Sequence, residues 1–571
     1  MGRFCIAALV CFLVVNNGQA QKFIPNEWVF PLKIKPSVSG SFGELRSNHF
    51  HSGIDLSTHG KTGYRVYSSD KGFVSRIKVS PYGYGKAVYV THPGGYTTVY
   101  GHLEQYSERI DSVVLEKQYK EQSFAIEMYF KPGDLPVEKG EVIAYSGNSG
   151  GSGGPHLHYE VRETASQKPT DPLFFRQDVE DDVKPQIQGV KVYALQPGSF
   201  VERGQSTVYL PTVHYDGKFH LKGRNEIKAL GEIGVGVQVL DYYTDSWRKC
   251  GVSSIELFAN DTLVFHSLMD GFSFAESRYI NSHIDYGEKK RTGKVIQKSY
   301  VEPNNQLSIY QKGKTYTVRL NPGEHTAMKY IIKDVSGNTS VLTFTLIGAK
   351  MMNGQPAVKP ANELKYAEDF SMDSLGFFVH MPAKALYTNV PFHFYKEVKV
   401  DKTLAPVYSF GDHHDPVHKR FEVKLQVPDS LRHLKDKLFI AGVTATGKIY
   451  YLGGTPKGSF ISANVRSFGR FSLAADTLSP TIRFKSVPKN ANYSNHKTLQ
   501  IIMKDDMSGI NKYNCFIDGQ WALFEYDAKR NMLEGAFEKM PFLNKNTQHQ
   551  LLVKVVDNRG NQSERKLTFT Y

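Results

Sequence analysis

The sequence predicts a mainly β protein built from several modules. Much of the chain consists of short runs rich in β-branched and aromatic residues, such as KAVYVTH, FEVKLQV and LLVKVVD, separated by Gly, Asn, Asp or Pro. A chain of 571 residues is too long for one hydrophobic core, so about three to five domains are expected. Two distant segments also resemble each other, which indicates that one module is repeated.

The first 20 residues have the features of an export signal. Arg3 precedes an apolar run, Cys5–Val15, and the small residues Gly18 and Ala20 follow it. The run is too short to span a bilayer, and no later segment approaches the roughly 20 apolar residues that a transmembrane helix needs. We therefore expect the mature protein to start near Gln21, to lack a transmembrane segment and to reside in the periplasm, the cell envelope or the extracellular space.

The cysteines exclude a disulfide-stapled scaffold and a thiolate zinc site. Of the four cysteines, two lie in the export signal, and no Cys-x-x-Cys pair exists. Cys250 and Cys515 remain, and the sequence does not determine whether they pair. Cys11 suggests a lipoprotein signal as an alternative, but Val10 stands where a small residue is expected, so cleavage without lipidation is favoured.

The positive charge favours an anionic environment rather than nucleic acid. The formal net charge is +14, and it comes from single Lys and Arg residues spread along the chain. Such a surface suits a cell wall or envelope. We find no block of basic residues, no phosphate-binding glycine loop and no recognition helix, so nucleic acid is not expected as a partner.

Beyond about residue 180 the chain repeats itself. KDVSGNTSVLTFT (333–345) and VDNRGNQSERKLTFT (556–570) both contain Asp-x-x-Gly-Asn followed by Leu-Thr-Phe-Thr, and each is preceded by a Pro-led strand and an Asp-rich turn. These signals predict Ig-like β-sandwich modules at 181–348, with an insertion, and at 476–571. A β-rich domain is expected between them, at 360–475. It contains His413, His414 and His418, for which a surface loop is favoured over a metal site.

Two closely spaced histidines indicate a metal site in the first 180 residues. In GGPHLHYEVR (153–162), the side chains of His156, His158 and Glu160 point to one face of a predicted strand. Two imidazoles on one face suit a metal, although a polar strand face with two chance histidines has the same pattern. Whether this pair binds a metal depends on further metal-binding side chains in the same part of the chain.

Such donors are present. His51 and Asp55 stand four residues apart, and His102 ends the strand YTTVYGHL. A hydrolytic zinc site needs three protein ligands and one open position, and imidazole and carboxylate are suitable donors. His51, Asp55 and one histidine of the 156/158 pair supply that number, which leaves the other histidine and His102 for proton transfer or oxyanion stabilisation.

Three segments resemble the consecutive motifs of a known family. HSGIDLSTHGKTGYRVYSSDKGFV, YGYGKAVYVTHPGGYTTVYGHL and VEKGEVIAYSGNSGGSGGPHLHYEVR are similar to those of the LytM/lysostaphin-type zinc metalloendopeptidases, peptidase family M23, over about residues 38–175. The resemblance implies an antiparallel β catalytic domain at 21–180. It also implies Zn²⁺ held by His51, Asp55 and His158, with His102 and His156 as the catalytic histidines.

One segment departs from the family pattern. The usual short link after the GHL strand is replaced by an insertion at about 104–136, within which Asp111–Phe130 is either a helix or a long hairpin. This puts the shape of the substrate groove in doubt but not the metal site. His49 and His59 flank the ligands without matching the pattern, and we interpret both as surface or supporting residues.

The resemblance implies an exported zinc-dependent endopeptidase that hydrolyses peptide cross-links of peptidoglycan. The alternative is a non-catalytic protein that binds the envelope or activates a hydrolase on an M23-like scaffold. Degenerate members of that kind lose metal ligands, whereas all are present here. A third possibility is an adhesin or carbohydrate-binding scaffold in which the C-terminal modules carry the function.

Overall fold

The structure, a computed structural model, describes residues 28–175, 179–244, 246–311, 316–350 and 362–571. The predicted export signal and the expected start of the mature protein at Gln21 lie outside the described residues. The prediction of a mainly β protein is confirmed, because strands far outnumber helices. The strands fall into four groups along the chain.

The first group carries the predicted site residues. Its elements are β1 (Val38–Gly40), β2 (Ile54–Ser57), β3 (Arg65–Tyr67), β4 (Gly72–Val79), β5 (Lys86–Thr91), β6 (Tyr96–Leu103), β7 (Gln105–Tyr106), α1 (Glu108–Glu121), β8 (Ile126–Tyr129), β9 (Pro136–Val137), β10 (Val142–Tyr145), β11 (His156–Glu163) and β12 (Pro169–Thr170). Nine strands form a sheet in the order β1-β2-β11-β6-β5-β4-β8, with β12 beside β11 and β9 beside β4, while β3, β10 and β7 form a small second sheet. The pairs β2–β11 and β11–β6 are antiparallel, as expected.

The second group forms one large sheet. Its elements are β13 (Gln186–Ala194), β14 (Phe200–Val201), β15 (Thr207–Tyr215), β16 (Lys218–Leu221), β17 (Glu226–Leu240), β18 (Ser254–Ala259), β19 (Thr262–Leu268), α2 (Ile280–His283), α3 (Tyr286–Thr292), β20 (Gln297–Lys298), β21 (Val318–Leu320), β22 (His325–Lys333) and β23 (Thr339–Gly348). The main order is β14-β17-β13-β15-β16-β23-β22-β18-β19, and β17 also pairs with β20, β21 and β23. The long β17 therefore pairs with both β13 and β23, so that the path from β17 through β13, β15 and β16 to β23 closes on itself.

The third group contains two five-stranded sheets and one two-stranded sheet, and the fourth group contains two four-stranded sheets. The third has β24 (Glu363–Leu364), β25 (Phe370–Ser374), β26 (Phe377–Met381), β27 (Val390–Pro391), β28 (Phe394–Glu397), β29 (Val407–Phe410), β30 (Phe421–Gln426), β31 (Leu438–Val443), β32 (Ile449–Tyr451), β33 (Thr455–Lys457), β34 (Phe460–Val465) and β35 (Gly469–Ala475). The fourth has β36 (Thr481–Lys485), β37 (Thr498–Lys504), β38 (Ile510–Ile517), β39 (Gln520–Trp521), β40 (Glu525–Asp527), β41 (Met532–Ala536), β42 (Gln548–Asp557) and β43 (Gln562–Thr570). In the fourth group, side chains of both sheets share one apolar core.

Short 3₁₀ helices connect some of these strands. They cover Pro172–Phe174, Ser277–Tyr279, Asp429–Leu434, Lys489–Ala491 and Phe537–Lys539. No helix in the described part of the chain is long and apolar enough to cross a membrane.

The first two groups share a continuous hydrophobic core. Phe42 and Phe50 flank the turn before β2. Their ring centroids lie 5.5 and 5.4 Å from the ring centroid of Phe272 in the second group. The backbone N–H of Phe50 also donates a hydrogen bond to the Oγ of Ser277 (2.9 Å). Burial of these large rings ties the strand that carries the metal-site residues to the neighbouring module.

The predicted insertion at 104–136 contains both a helix and a strand, α1 and β8. The helix packs against the fourth group: the Tyr119 ring lies 5.2 Å from the Trp521 ring, and its hydroxyl donates to the carbonyl oxygen of Lys539 (2.8 Å). A half-buried ion pair joins Lys86 Nζ to Glu525 Oε2 (2.7 Å). The C-terminal module therefore contacts the module that carries the site.

The two cysteines that follow the signal are separate. Cys250 and Cys515 are both free and buried. Burial raises the pKa of the Cys250 thiol to about 12, so this side chain stays a neutral thiol near pH 7.

Candidate metal centre

Neighbouring strands bring the predicted ligands together. His158 of β11 stands opposite Asp55 of β2 and opposite Gly101 of β6, while His51 lies in the turn just before β2. This turn lies close to β11 because residue 53 is glycine: a β-carbon there would be 2.3 Å from the carbonyl oxygen of Tyr159. Any larger residue would push His51 away from the sheet.

The three donor atoms form a nearly equilateral triangle. His51 Nε2 lies 3.1 Å from Asp55 Oδ1 and 3.0 Å from His158 Nδ1, and His158 Nδ1 lies 3.0 Å from Asp55 Oδ1. All three side chains are buried. Zinc binds imidazole nitrogen and carboxylate oxygen at about 2.0–2.2 Å, and atoms this close together can share one ion. The residues present therefore fit zinc in donor type, number and spacing.

The outer ring nitrogens fix the orientation of both ligand histidines. His51 Nδ1 donates to the carbonyl oxygen of Ser41 (2.8 Å), and His158 Nε2 donates to Glu160 Oε1 (2.8 Å). The opposite nitrogens are thereby left to face the centre, as metal-binding histidines require. Arg46 Nη2 holds the other carboxylate oxygen of Asp55, Oδ2, at 2.5 Å.

Glu160 is the anchor behind His158. Its side chain is 0% exposed, and it accepts hydrogen bonds from Ser52 Oγ and Tyr84 Oη (both 2.6 Å) and from Arg162 Nε (2.6 Å). Burial raises the pKa of Glu160, but the Arg162 guanidinium and the His158 hydrogen bond outweigh burial and lower it. Burial likewise disfavours the charged form of His158, yet hydrogen bonds to Asp55 and Glu160 raise its pKa to about 9.

His102 and His156 stand beside the donor triangle. Their ring centroids are 4.8 Å apart, and each Nδ1 donates to a carbonyl oxygen of the glycine-rich loop, that of Ser149 for His102 and that of Gly154 for His156 (2.8 Å each). His156 Nε2 is buried, makes no hydrogen bond and lies 3.3 Å from Asp55 Oδ1. Burial, followed by the charges of His158 and His156, lowers the pKa of His102 to about 3.

His102 adopts an unusual backbone conformation. Its φ of 60° lies in the left-handed region, which residues other than glycine rarely occupy. The backbone N–H donates to the carbonyl oxygen of Tyr84 (2.8 Å), which holds this residue at the end of β6. Strained residues of this kind concentrate at functional sites.

The structure thus brings all five predicted site residues into one cluster. His49 and His59 are exposed and do not join the donor triangle. The sequence analysis missed Arg46, for which no pattern gave a signal. It placed Glu160 on the correct strand face but assigned it no role; its alternation with His158 was the available signal.

Two histidines of the third group, His413 and His414, lie with Asp412 in a second set of possible metal donors, but these side chains are exposed or half-buried rather than buried. His413 is exposed and His414 hydrogen-bonds to its neighbour Asp412 (2.8 Å). His418 instead stacks on Tyr279 with a centroid separation of 4.2 Å. His418 is thus separate from the other two histidines: it makes a packing contact, whereas His413 and His414 lie in a turn.

The comparisons with known proteins agree with the composition of this metal centre. A buried centre of two histidines and one carboxylate is a donor set that hydrolytic metalloenzymes use. Residues 49–119 and 124–172 match the model of Peptidase family M23, so the N-terminal module is an M23 peptidase domain and the resemblance is confirmed. Residues 361–476 match the model of a Zu5-like domain.

Individual relatives are similar over less than a quarter of the chain. The chain is 32% identical to a DD-carboxypeptidase/endopeptidase Mpg of Neisseria meningitidis over 130 residues, and 34% identical to an uncharacterized metalloprotease of Haemophilus influenzae over 137 residues. These alignments cover 22 and 23% of the chain and 24% of each relative. A solved M23 domain, that of EnpA from Enterococcus faecalis, is 25% identical and covers 22% of this chain and 81% of its own, with a TM-score of 0.17.

Proposed function

We propose that the protein is an exported zinc-dependent endopeptidase that hydrolyses peptide cross-links of peptidoglycan. The observation that carries this proposal is the buried cluster in which a triangle of donor atoms lies beside two further histidines. Every outer nitrogen of the four rings is held by an oxygen of the protein. These hydrogen bonds fix the orientation of all four imidazoles around one centre. A chance cluster of histidines would not need such fixed orientations.

His51, Asp55 and His158 would hold the zinc ion. When bound at such a centre, zinc supplies Lewis-acid chemistry that polarises a peptide carbonyl and makes water a nucleophile near neutral pH. Arg46 occupies the second oxygen of Asp55 and so keeps that carboxylate directed with one oxygen toward the centre. Glu160 raises the basicity of His158 through its hydrogen bond.

His102 would transfer protons and His156 would stabilise the developing negative charge. The Nδ1–H of His102 is held by the carbonyl oxygen of Ser149, so Nε2 is the nitrogen that would exchange a proton in the reaction. His156 would act in its imidazolium form, in which Nε2, without a hydrogen-bond partner in the structure, donates to the oxygen on which negative charge develops. Loss of one such donor typically costs about 2.7–4 kcal/mol of transition-state stabilisation.

The proposed substrate rests on charge, shape and relatives. The net charge of +14 suits an anionic cell wall. Gly153 and Gly154, which precede β11, have open space where a side chain would stand, and this leaves room for an extended peptide next to His156. The similarity to a DD-carboxypeptidase/endopeptidase supports a cell-wall peptide as the class of substrate.

The test compares His158→Ala with His156→Ala in the full-length protein. His158→Ala removes one of three protein donors, so zinc content and activity should fall together. His156→Ala should retain zinc yet lose on the order of 10²- to 10³-fold in turnover, because a donor to the developing negative charge is lost. His59→Ala, an exposed histidine near the site, is the matched control and should change neither.

Two measurements decide the outcome: zinc per chain, and mass spectrometry of fragments released from purified peptidoglycan. A His156→Ala protein that loses zinc while His158→Ala retains it would reverse the two assignments. Wild-type protein that binds zinc but releases no fragments would instead favour the non-catalytic envelope-binding or hydrolase-activating function.

A further inference from the structure

Three aspartates meet in the second strand group, away from the candidate metal centre. Asp241 follows β17, Asp334 follows β22, and Asp181 precedes β13. One carboxylate oxygen from each lies within 4.8 Å of the others. Three distant parts of the chain therefore bring three acidic side chains to one point.

Amide groups donate to Asp181 and Asp334, but one oxygen of Asp241 has no partner. Asp241 is 1% exposed, and its Oδ1 is buried without any hydrogen-bond partner. In the described parts of the chain, no lysine or arginine forms an ion pair with these three carboxylates. Burial, followed by the neighbouring charges of Asp334 and Asp181, raises the pKa of Asp241 to about 8. An isolated buried carboxylate is costly unless it is paired or binds a metal.

An asparagine organises the cluster. Asn338 donates from its backbone N–H to Asp334 Oδ1 and from its Nδ2 to Asp334 Oδ2 and to the carbonyl oxygen of Asp181 (all 2.9 Å). The Asp-x-x-Gly-Asn motif seen in the sequence thus fixes two of the three aspartates. Asp241 lies opposite and has no equivalent amide donor on its Oδ1.

The fourth strand group contains the equivalent cluster, Asp476, Asp505 and Asp557. Asn561 takes the place of Asn338: it donates to Asp557 Oδ2 (2.7 Å) and to the carbonyl oxygen of Asp476 (3.0 Å). The two modules therefore build the same arrangement.

The two clusters differ at one position. Asp505 occupies the place of Asp241, but its Oδ2 accepts backbone N–H groups of Met507, Ser508 and Gly509 (3.2, 2.8 and 2.7 Å). Amide dipoles thus stabilise the charge of the C-terminal cluster, whereas Asp241 in the first cluster has an oxygen that nothing in the described structure satisfies.

We propose that Asp181, Asp241 and Asp334 bind a calcium ion. All the donors are oxygens, which hard cations prefer, and calcium accepts irregular geometries that magnesium does not. The unpartnered Oδ1 of Asp241 supplies the oxygen for which no other partner exists. The Asp476–Asp505–Asp557 cluster, in which amide groups already hold the central carboxylate, should bind no ion.

The test is a calcium titration of the full-length, zinc-loaded protein, followed by calorimetry and by thermal unfolding. We expect one calcium ion per chain with a Kd on the order of 10⁻⁴ to 10⁻³ M, as in extracellular calcium modules, and a smaller response to magnesium. Asp241→Asn should weaken calcium binding at least tenfold. The matched variant Asp505→Asn, at the equivalent position of the repeat, should leave it unchanged.

Thermal unfolding separates a cation site from a purely structural role. Without calcium, Asp241→Asn should unfold at or above the wild-type temperature, because it removes a buried carboxyl group whose ionisation is costly. With calcium, only wild type and Asp505→Asn should gain stability. If Asp241→Asn does not fold, Asp181→Asn, which is partly exposed, provides the same comparison. Absence of calcium binding at 10 mM, or equal effects of the two variants, would overturn the proposal.

Discussion

Replacing Glu160 by glutamine tests whether the residue behind His158 tunes the metal centre. Glutamine preserves size and keeps one oxygen that is able to accept the hydrogen bond from His158 Nε2. Glutamine lacks the negative charge, however, and its side-chain NH₂ group would face a guanidinium or another hydrogen-bond donor. The change is therefore small in shape and large in electrostatics.

Two effects should follow, and the structure sets the size of each. Loss of a charged partner behind a metal-binding histidine typically weakens metal binding by about 10- to 100-fold, or about 1.4–2.7 kcal/mol. In addition, Arg162 is 5% exposed and would lose the carboxylate that its Nε contacts at 2.6 Å. Removal of one partner of a buried ion pair costs about 3–5 kcal/mol of folding stability.

The assay measures zinc affinity by competition with a chromophoric chelator, alongside urea unfolding of the same samples. Glu104→Gln, an exposed glutamate in the same module, serves as the control and should alter neither quantity. A Glu160→Gln protein that is less stable but binds zinc as tightly as wild type would refute the reasoning, because Glu160 would then act only as a packing and charge partner of Arg162.

Three further predictions concern pH, the module interface and export. Burial raises the pKa of Asp171 from 3.8 to about 7. Its neutral form therefore stabilises the fold fully below pH 3.8, and this contribution, at most about 4 kcal/mol, is lost as the pH rises to 7. Asp171→Asn should flatten the pH dependence of the free energy of unfolding in urea, and an unchanged slope would contradict the assignment. Glu525→Gln should lower the free energy of unfolding by about 1–2 kcal/mol, between the values for exposed and buried pairs, because the ion pair with Lys86 is lost. Calorimetry measures this change, and Glu564→Gln, which breaks an exposed ion pair, is the control. N-terminal sequencing of the exported protein should begin at or near Gln21, and a lipidated or uncleaved N-terminus would show the signal prediction to be wrong.

Local pattern indicated the candidate site residues but not their supports. The H-x-H spacing was informative because alternate positions on one strand face the same side, whereas His51 and His102 were proposed from donor type and their place in the chain. Arg46 and Ser41 act on Asp55 and His51 through the fold of a turn, which no periodicity encodes. Tyr84 reaches Glu160 from a different loop, and only the packing of the sheet makes them neighbours.

The repeated Asp-x-x-Gly-Asn motif shows the same division. Its sequence predicted two related modules, and in both modules an asparagine binds the aspartate four residues before it. The sequence could not show that two more aspartates, distant in the chain, complete each cluster. Nor could it show that backbone amides donate to Asp505 Oδ2, whereas Asp241 Oδ1 has no hydrogen-bond partner.

The sequence by itself therefore determined the mainly β class, the repeat and the set of metal and catalytic candidates, because these depend on strand alternation and on the spacing of residues a few positions apart. Only the tertiary structure decided how the modules contact each other. The contacts of Tyr119 with Trp521 and of Lys86 with Glu525 join residues about 400 positions apart. Such contacts depend on the shape and charge of whole surfaces, and these form only when the chain has folded.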